Sequence, residues 1–187
     1  MANPEVPRLS EDFRDFLIEA KQHGYGMPDA QLVPEPENSG AKVIVYERAP
    51  YLYVDNFVGG SPYLGYEHVS ALVDGVYTPV WGMSYFERFR GDITPQQLGG
   101  TLGKVLASPD TSFPIRGPFE WEEDDMHYRL QPFSGSEKLE AFEAKETISR
   151  INPLGNKQTL YVAEFAGKLV NRSVALEATN PTWLAND

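Results

Sequence analysis

The first periodic segment of the chain follows Ser10. Its large and small apolar side chains recur every three or four positions, at Phe13, Phe16, Leu17 and Ala20. This spacing is typical of a helix that buries one face. The Ser10 hydroxyl can accept a hydrogen bond from an amide of the first turn, so Ser10 is the expected N-cap. The pattern predicts a helix that carries Lys21 in its last turn and ends at Gly24 and Gly26.

From residue 41 the apolar pattern changes to a period of two, which indicates β-strands. Two hairpins are predicted, with strands over 42–46, 51–57, 63–72 and 80–86. Asp74-Gly75 is the clearest turn signal, because these residues tolerate the positive φ angles of tight hairpins. The segment 28–40, rich in proline and polar residues, is predicted to be an irregular connection.

A second helix is predicted to begin after Thr94, where Pro95 suits the first helical position and Gln97 can complete a capping box. Three glycines within this helix predict close packing against a sheet: Gly99, Gly100 and Gly103. Four further strands are expected over 119–122, 126–133, 138–151 and 159–170. The last residues, 173–187, are predicted to form a short helix and a frayed end.

The two halves share a pattern. Tyr63-x-Gly65-x-Glu67-x-Val69 is repeated 79 positions later as Phe142-x-Ala144-x-Glu146-x-Ile148. We interpret the chain as an α+β protein built from a duplicated αββββ unit, with a largely antiparallel sheet of about eight strands and two covering helices. The expected organisation is a single domain over 1–187, with pseudo-repeats at about 10–92 and 93–170 and a tail at 171–187. Chance similarity between amphipathic strands is the alternative.

Each predicted repeat places one glutamate on an apolar strand face. Alternate side chains of a strand share a face, so Glu146 is expected beside Phe142 and Ile148. Its counterpart Glu67 is expected beside Val69. An ionised carboxylate buried without partners costs several kcal/mol, so each must be hydrogen-bonded, paired, protonated or turned toward a cavity. A structural carboxylate and a ligand-binding carboxylate both fit this pattern.

Composition narrows the class of partner. The chain has 187 residues and a net charge of −11, and its basic residues do not cluster, so no nucleic-acid partner is expected. It contains no cysteine, which excludes disulfides and thiolate chemistry. The absence of a long apolar run and of an N-terminal leader pattern predicts a cytoplasmic protein with no membrane partner.

Cofactor and metal motifs are absent from the sequence. The segment 98–105 resembles a phosphate-binding loop but has Leu98 and Val105 where that motif needs glycine and a hydroxyl. His23, His68 and His127 do not have the spacing of metal ligands. We therefore expect no cofactor, no metal and no identifiable catalytic residue.

Aromatic residues are concentrated in the first half and suggest a site. An ordinary core and an aromatic-lined pocket both explain them. The pocket hypothesis assigns ligand binding to two acids, three aromatic residues and two further charged residues: Glu67, Asp55, Tyr53, Trp81, Tyr85, Arg116 and Glu146.

Several of these patterns, taken in order, resemble a bacterial family, the domain of unknown function 5680. They are Phe16-Leu17-Ile18-x-Ala20-Lys21, Tyr51-x-Tyr53-x-Asp55-x-Phe57-x-Gly59-Gly60, Gly65-x-Glu67, Pro79-Val80-Trp81-x-Met83-x-Tyr85, Arg116-Gly117-Pro118, Phe142-x-Ala144-x-Glu146-x-Ile148 and Phe165-x-Gly167. The resemblance covers roughly residues 13–170. It departs at Ala144, where the family tends to have glycine, and at Ser84, where asparagine is usual. Members of this family occur alone or behind an N-terminal helix-turn-helix, which implies a sensor or effector-binding role for the domain. The present chain is expected to be a stand-alone version.

Three functions follow as hypotheses. The first is a non-enzymatic domain that binds a small molecule, for which a cation or an amine would suit a carboxylate among aromatic faces. The second is a hydrolase-like enzyme with Glu67 as general base. The third is a protein-interaction module, such as a homodimer formed through a sheet edge or an apolar patch.

Overall fold

The computed structural model describes residues 10–25, 32–34, 41–59, 62–133 and 138–171. Within these ranges the chain forms two helices, α1 (Glu11–Tyr25) and α2 (Pro95–Leu106). The strands, in chain order, are β1 (Leu32–Pro34), β2 (Ala41–Arg48), β3 (Tyr51–Gly59), β4 (Tyr63–Val73), β5 (Val76–Phe89), β6 (Glu120–Glu123), β7 (Met126–Pro132), β8 (Ala141–Ile151) and β9 (Lys157–Leu169). They form one antiparallel sheet, which confirms the predicted α+β class.

The eight predicted strands correspond to β2–β9, and the described residues add a ninth. The extra strand, β1, lies in the segment 28–40 that was expected to be irregular throughout. It is only three residues long, too short for a period-two pattern, and it exists because it pairs with β2, Val33 opposite Val43. The predicted short helix and frayed end at 173–187 lie outside the described residues.

The strand order is β1-β2-β3-β4-β5-β9-β8-β7-β6. The hairpin strands β2–β5 and β6–β9 therefore form two meanders, which join where β5 pairs with β9 and Tyr85 lies opposite Phe165. Register shifts occur at Val69/Ser70 between β4 and β5 and at Ile148/Ser149 between β8 and β9. This layout is the one expected of a duplicated unit, and the duplication itself stays a prediction.

Helix α1 packs its apolar stripe on the first half of the sheet. The Ser10 hydroxyl accepts a hydrogen bond from the amide of Phe13 at 3.1 Å, as expected of an N-cap. The rings of Phe13 and Phe16 lie 5.6 and 5.1 Å from the ring of Tyr51 on β3. Gly24 lies close to Ile44 on β2, so the helix is held against the sheet along its length.

Helix α2 begins with the predicted capping box between Thr94 and Gln97. Leu98 and Val105 are buried on its inner face. The expectation that its three glycines pack closely against the sheet is wrong, because no heavy atom lies within 4 Å of the position that a Cβ would take at Gly99, Gly100 or Gly103. Helical spacing places these glycines away from the inner face.

The two faces of the sheet differ. The face toward the helices carries the buried aromatic residues of the core, including Tyr53, Trp81 and Tyr161. The opposite face carries exposed side chains, among them Leu64 and Tyr66, each 53% exposed. The candidate site lies on the covered face, where β3, β4, β5, β9, β8 and β7 run side by side.

Candidate functional site

Charged residues and tyrosines form a polar cluster in the middle of the covered face. Every member is at most 5% exposed. The members of this polar cluster are Lys21, Tyr53, Asp55, Glu67, Tyr85, Glu87, Arg116, Tyr128, Glu146 and Tyr161. Charged groups are rarely buried unless they are paired, so six charged side chains and four tyrosines together on one face call for an explanation beyond an ordinary core.

Sheet register positions the acids of the first half. Asp55 on β3 lies directly opposite Glu67 on β4, so the two side chains leave the sheet on the same face as neighbours. Gly65, two residues before Glu67, leaves the space that the Tyr85 side chain crosses, because a Cβ there would collide with the Tyr85 hydroxyl. The Tyr85 hydroxyl thereby donates a hydrogen bond to Asp55 Oδ1 at 3.0 Å.

Helix α1 supplies the cation of this first half. Lys21 Nζ forms a buried ion pair with Glu67 Oε2. The same ammonium lies 5.5 Å from the centroid of the Tyr53 ring. Glu67, Lys21 and Tyr53 therefore combine a carboxylate, an ammonium and an aromatic face, which is the chemistry by which proteins recognise amines.

Lys21 was predicted only as a basic residue in the last turn of the helix. Its burial against Glu67 was missed, although the signal was present: Lys21 lies four positions after Leu17 and eight after Phe13, and so continues the buried stripe. A lysine on such a stripe indicates an acid on the surface that it faces.

The second half holds a different ion pair at the repeated glutamate. Arg116, in the segment between α2 and β6, donates from Nε to Glu146 Oε2 at 3.1 Å and from Nη2 to Oε1 at 3.3 Å. The Tyr128 hydroxyl adds a hydrogen bond to Glu146 Oε2 at 2.8 Å. The Arg116 guanidinium also lies 5.3 Å from the centroid of the Phe165 ring. A bidentate pair with a third donor is a well-satisfied arrangement for a buried carboxylate.

Burial alters the protonation of the cluster. Loss of hydration lowers the pKa of Lys21, while the neighbouring Glu67 partly raises it again. Burial, together with the nearby acids, raises the pKa of Tyr53 and of Tyr128 well above the ordinary value, so both hydroxyls stay protonated. These tyrosines therefore remain hydrogen-bond donors at every physiological pH.

Glu87 is the acid of the cluster that sequence reasoning missed. It lies two residues after Tyr85 on β5 and shares its face, so the period of two was a sufficient signal. Burial raises the pKa of Glu87; nearby Arg116 and Tyr161 oppose the shift, and Glu146 adds to it. Glu87 thus lies near the second ion pair, at the β5–β9 seam, which is the boundary where the two meanders pair.

All seven residues predicted to bind a ligand lie on the covered face and are buried. Six of them belong to the polar cluster, but Arg116 pairs with Glu146 and not with Glu67. Trp81 lies in the apolar core instead, stacked 6.0 Å from the Phe142 ring, with its indole N–H donating to the carbonyl of Leu139 at 3.0 Å. Their role in ligand binding stays a prediction.

The described residues contain neither a cluster of metal-ligating side chains nor a helix suited to span a membrane. Among those residues, no three His, Asp or Glu side chains come together as metal ligands would. No described helix is long and apolar enough to cross a membrane.

Comparison with known proteins identifies a family but no characterised relative. No curated protein and no solved structure matches the chain. One family model, described as a domain of unknown function (DUF5680), matches residues 55–170, which include β3 from Asp55 onward, strands β4–β9 and every acid of the polar cluster. Since the match spans more than half of the chain, this protein belongs to the DUF5680 family of domains of unknown function.

Proposed function

We propose that this protein is a small-molecule binding domain whose ligand carries an amine, and that the amine binds Glu67 and Asp55 beside the Tyr53 ring. The proposal rests on the position of the Lys21 ammonium beside Glu67 and Tyr53. The chain presents its own ammonium to Glu67 and to the face of Tyr53, so the site already accommodates a primary amine. A ligand amine would take the place of Lys21, with α1 moving outward to admit it.

A purely structural role explains the polar cluster less well. Buried ion pairs contribute little net stability, since the cost of removing both charges from water offsets their attraction. Packed apolar residues of similar volume would stabilise the same fold as well or better. Two buried ion pairs and two further buried acids on one face are therefore better explained by recognition of a ligand.

Thermal unfolding with a panel of primary amines tests the proposal. Each amine is paired with the alcohol of the same carbon skeleton, for example butylamine with butanol. Binding at a hundred times the dissociation constant would stabilise the folded state by about 2.7 kcal/mol. We expect stabilisation by at least one amine and not by its matched alcohol, and loss of that effect in Glu67→Gln.

Two variants make the result interpretable. Glu164→Gln is the matched control, because Glu164 pairs with Arg88 on the exposed surface, far less buried than Glu67. Lys21→Ala leaves Glu67 without its ammonium partner, so a small amine should restore part of the lost stability by filling the space. If no amine stabilises the unaltered protein or this variant, the proposal is wrong.

The same experiment separates the other two hypotheses. An enzyme with Glu67 as general base would convert a compound of the panel, and the conversion would be lost in Glu67→Gln. An interaction module would show no stabilisation by amines, and its mass in light scattering would exceed that of a monomer. Neither outcome is expected here.

A further inference from the structure

The face of the sheet opposite the helices, which we call the open face, carries a ridge of large side chains beside a groove of small ones. The ridge runs along β4, where Leu64 and Tyr66 are each 53% exposed and the Tyr66 ring stacks on that of His68 with centroids 6.0 Å apart. The groove lies beside it, where Ser84 on β5 is opposite Tyr66 and Ala166 on β9 is opposite Ser84. The groove has a volume of about 760 Å³, and small residues form its floor: Gly82, Ser84, Ala141 and Ala166.

The ridge belongs to a wider apolar patch. Val45, Val58 and Phe86, on β2, β3 and β5, are 46%, 43% and 45% exposed. The register places all three on the open face with Leu64, which lies opposite both Val58 and Phe86. A continuous exposed apolar patch of several hundred Å² marks a surface that binds another molecule. The open face is therefore an interaction surface in search of its partner.

Charge favours a second copy of the same chain as that partner. The whole chain carries a net charge of −11, so most surfaces of two copies repel one another. On the open face of β4, β5, β9 and β8, within two register positions of Ser84, the charged residues are two acids and two bases: Glu143, Glu164, Lys145 and Lys168. Their formal charges cancel, so two copies can approach through this face without that repulsion.

We propose that the open face forms a dimer with a second copy of this chain, in which the β4 ridge of each copy lies in the groove of the other. A two-fold interface needs a surface that is complementary to itself, and a ridge beside a groove provides one. The strands β3, β4, β5, β9 and β8, about 4.8 Å apart and with about eight residues each, span about 600 Å² per copy. Two copies would bury about 1,200 Å² together, the lower end of the range for specific interfaces.

The edges of the sheet suit a dimer less well than the open face. The edge strands of the described sheet are β1 and β6. Strand β1 has three residues and ends at Pro34, and β6 has four residues, three of them glutamates: Glu120, Glu122 and Glu123. Short strands, proline and like charges all hinder pairing with the edge of a second sheet.

The dimer goes beyond the proposed amine binding and does not depend on it. The polar cluster lies on the covered face, whereas the ridge and the groove lie on the open face. Dimer formation by itself therefore does not favour the interaction-module hypothesis, which also requires that no amine stabilises the protein.

Sedimentation equilibrium of the full chain, from about 1 µM to about 1 mM, tests the dimer. We expect the mass to rise with concentration from 21.0 kDa toward twice that value. Leu64→Glu places a charge in the ridge of both copies and should weaken dimerisation by at least about 100-fold. Leu154→Glu is the matched control, because Leu154 is 85% exposed but lies in the turn between β8 and β9. It should leave the dimer unchanged.

Ala166→Phe distinguishes a ridge in a groove from a non-specific apolar contact. The substitution adds apolar surface but fills the groove, so we expect dimerisation to weaken by about tenfold. Phe86→Glu repeats the charge test at the position opposite Leu64. Thermal unfolding of each variant checks that it is folded, and all of these side chains are exposed, so folding should not depend on them.

Each outcome decides the proposal. A mass of 21.0 kDa at every concentration overturns it. A dimer that both Leu64→Glu and Phe86→Glu leave unchanged also overturns it, because another surface then forms the contact. A dimer that Ala166→Phe strengthens would show that the ridge does not enter the groove. Stabilisation by amines should be the same in Leu64→Glu as in the unaltered protein, so its loss or absence bears on the proposed function alone.

Discussion

At the scale of single residues, the chemistry of this protein is decided by which acids are paired and how. Glu146 is paired with the guanidinium of Arg116 through two hydrogen bonds, whereas Glu67 is paired with the ammonium of Lys21. An ammonium is a point charge on a flexible stem and is exchanged more easily than a guanidinium fork. The proposed function therefore gives the two repeated glutamates different tasks: Glu67 would recognise the ligand, and Glu146 would support the site.

Glu87 should give stability an unusual pH dependence. Burial raises the pKa of Glu87 above the ordinary value of 4.5. Nearby Arg116 and Tyr161 lower this pKa in part, and nearby Glu146 raises it further. Between 4.5 and the folded-state pKa the folded protein binds more protons at this residue than the unfolded chain does. Its contribution is therefore fully present below pH 4.5 and is lost as the pH rises through the folded-state pKa.

The measurement is urea unfolding of the unaltered protein and of Glu87→Gln, from pH 4 to pH 8. We expect the stability of the unaltered protein, relative to the variant, to fall as the pH rises above about 4.5. A relative stability that rises over this range would mean that Glu87 is an ordinary paired carboxylate.

At the scale of elements, glycines mark where backbone and side chain approach one another. Gly65 on β4 is needed because the Tyr85 side chain crosses it to reach Asp55, and the carbonyl oxygen of Asn56 would lie 2.6 Å from an added Cβ. Gly99 on α2 has open space around it. Both residues are glycines, and only their neighbours in the fold show that Gly65 is required and that Gly99 is not.

Alanine substitution at these two glycines should have opposite effects. Gly65→Ala overpacks the strand and displaces Tyr85, so we expect a loss of about 1–3 kcal/mol of unfolding free energy. Gly99→Ala adds helix propensity without a clash and should stabilise by about 0.5–1 kcal/mol. Chemical denaturation of both variants measures the difference, and equal effects would show that the Gly65 crossing does not matter.

At the scale of the whole molecule, α1 packs on the sheet and also covers the candidate site. It lies on β2 and β3 and sends Lys21 into the polar cluster. An amine that binds Glu67 must move that lysine. The proposed function therefore predicts that amine binding exposes Lys21, and chemical modification of this lysine would detect the change.

Acetylation of lysines followed by mass spectrometry tests this link. In the free protein Lys21 is 1% exposed and should react slowly, while exposed Lys168 reacts at once. We expect an amine that stabilises the protein to accelerate acetylation of Lys21 by about tenfold or more, with Lys168 unchanged. Unchanged protection of Lys21 at saturating amine would place the ligand elsewhere.

Local patterns of the sequence determined the helices, eight of the strands, the antiparallel class and the face on which Glu67 and Glu146 lie. These features depend on spacing, capping and turn residues within a few positions of one another, which are readable without the fold. Tertiary structure alone decided that Lys21 pairs with Glu67, that Arg116 pairs with Glu146, and that Glu87 and Tyr161 share a seam. Those contacts join residues 30 to more than 70 positions apart, and they depend on strand order and helix placement, which no local pattern encodes.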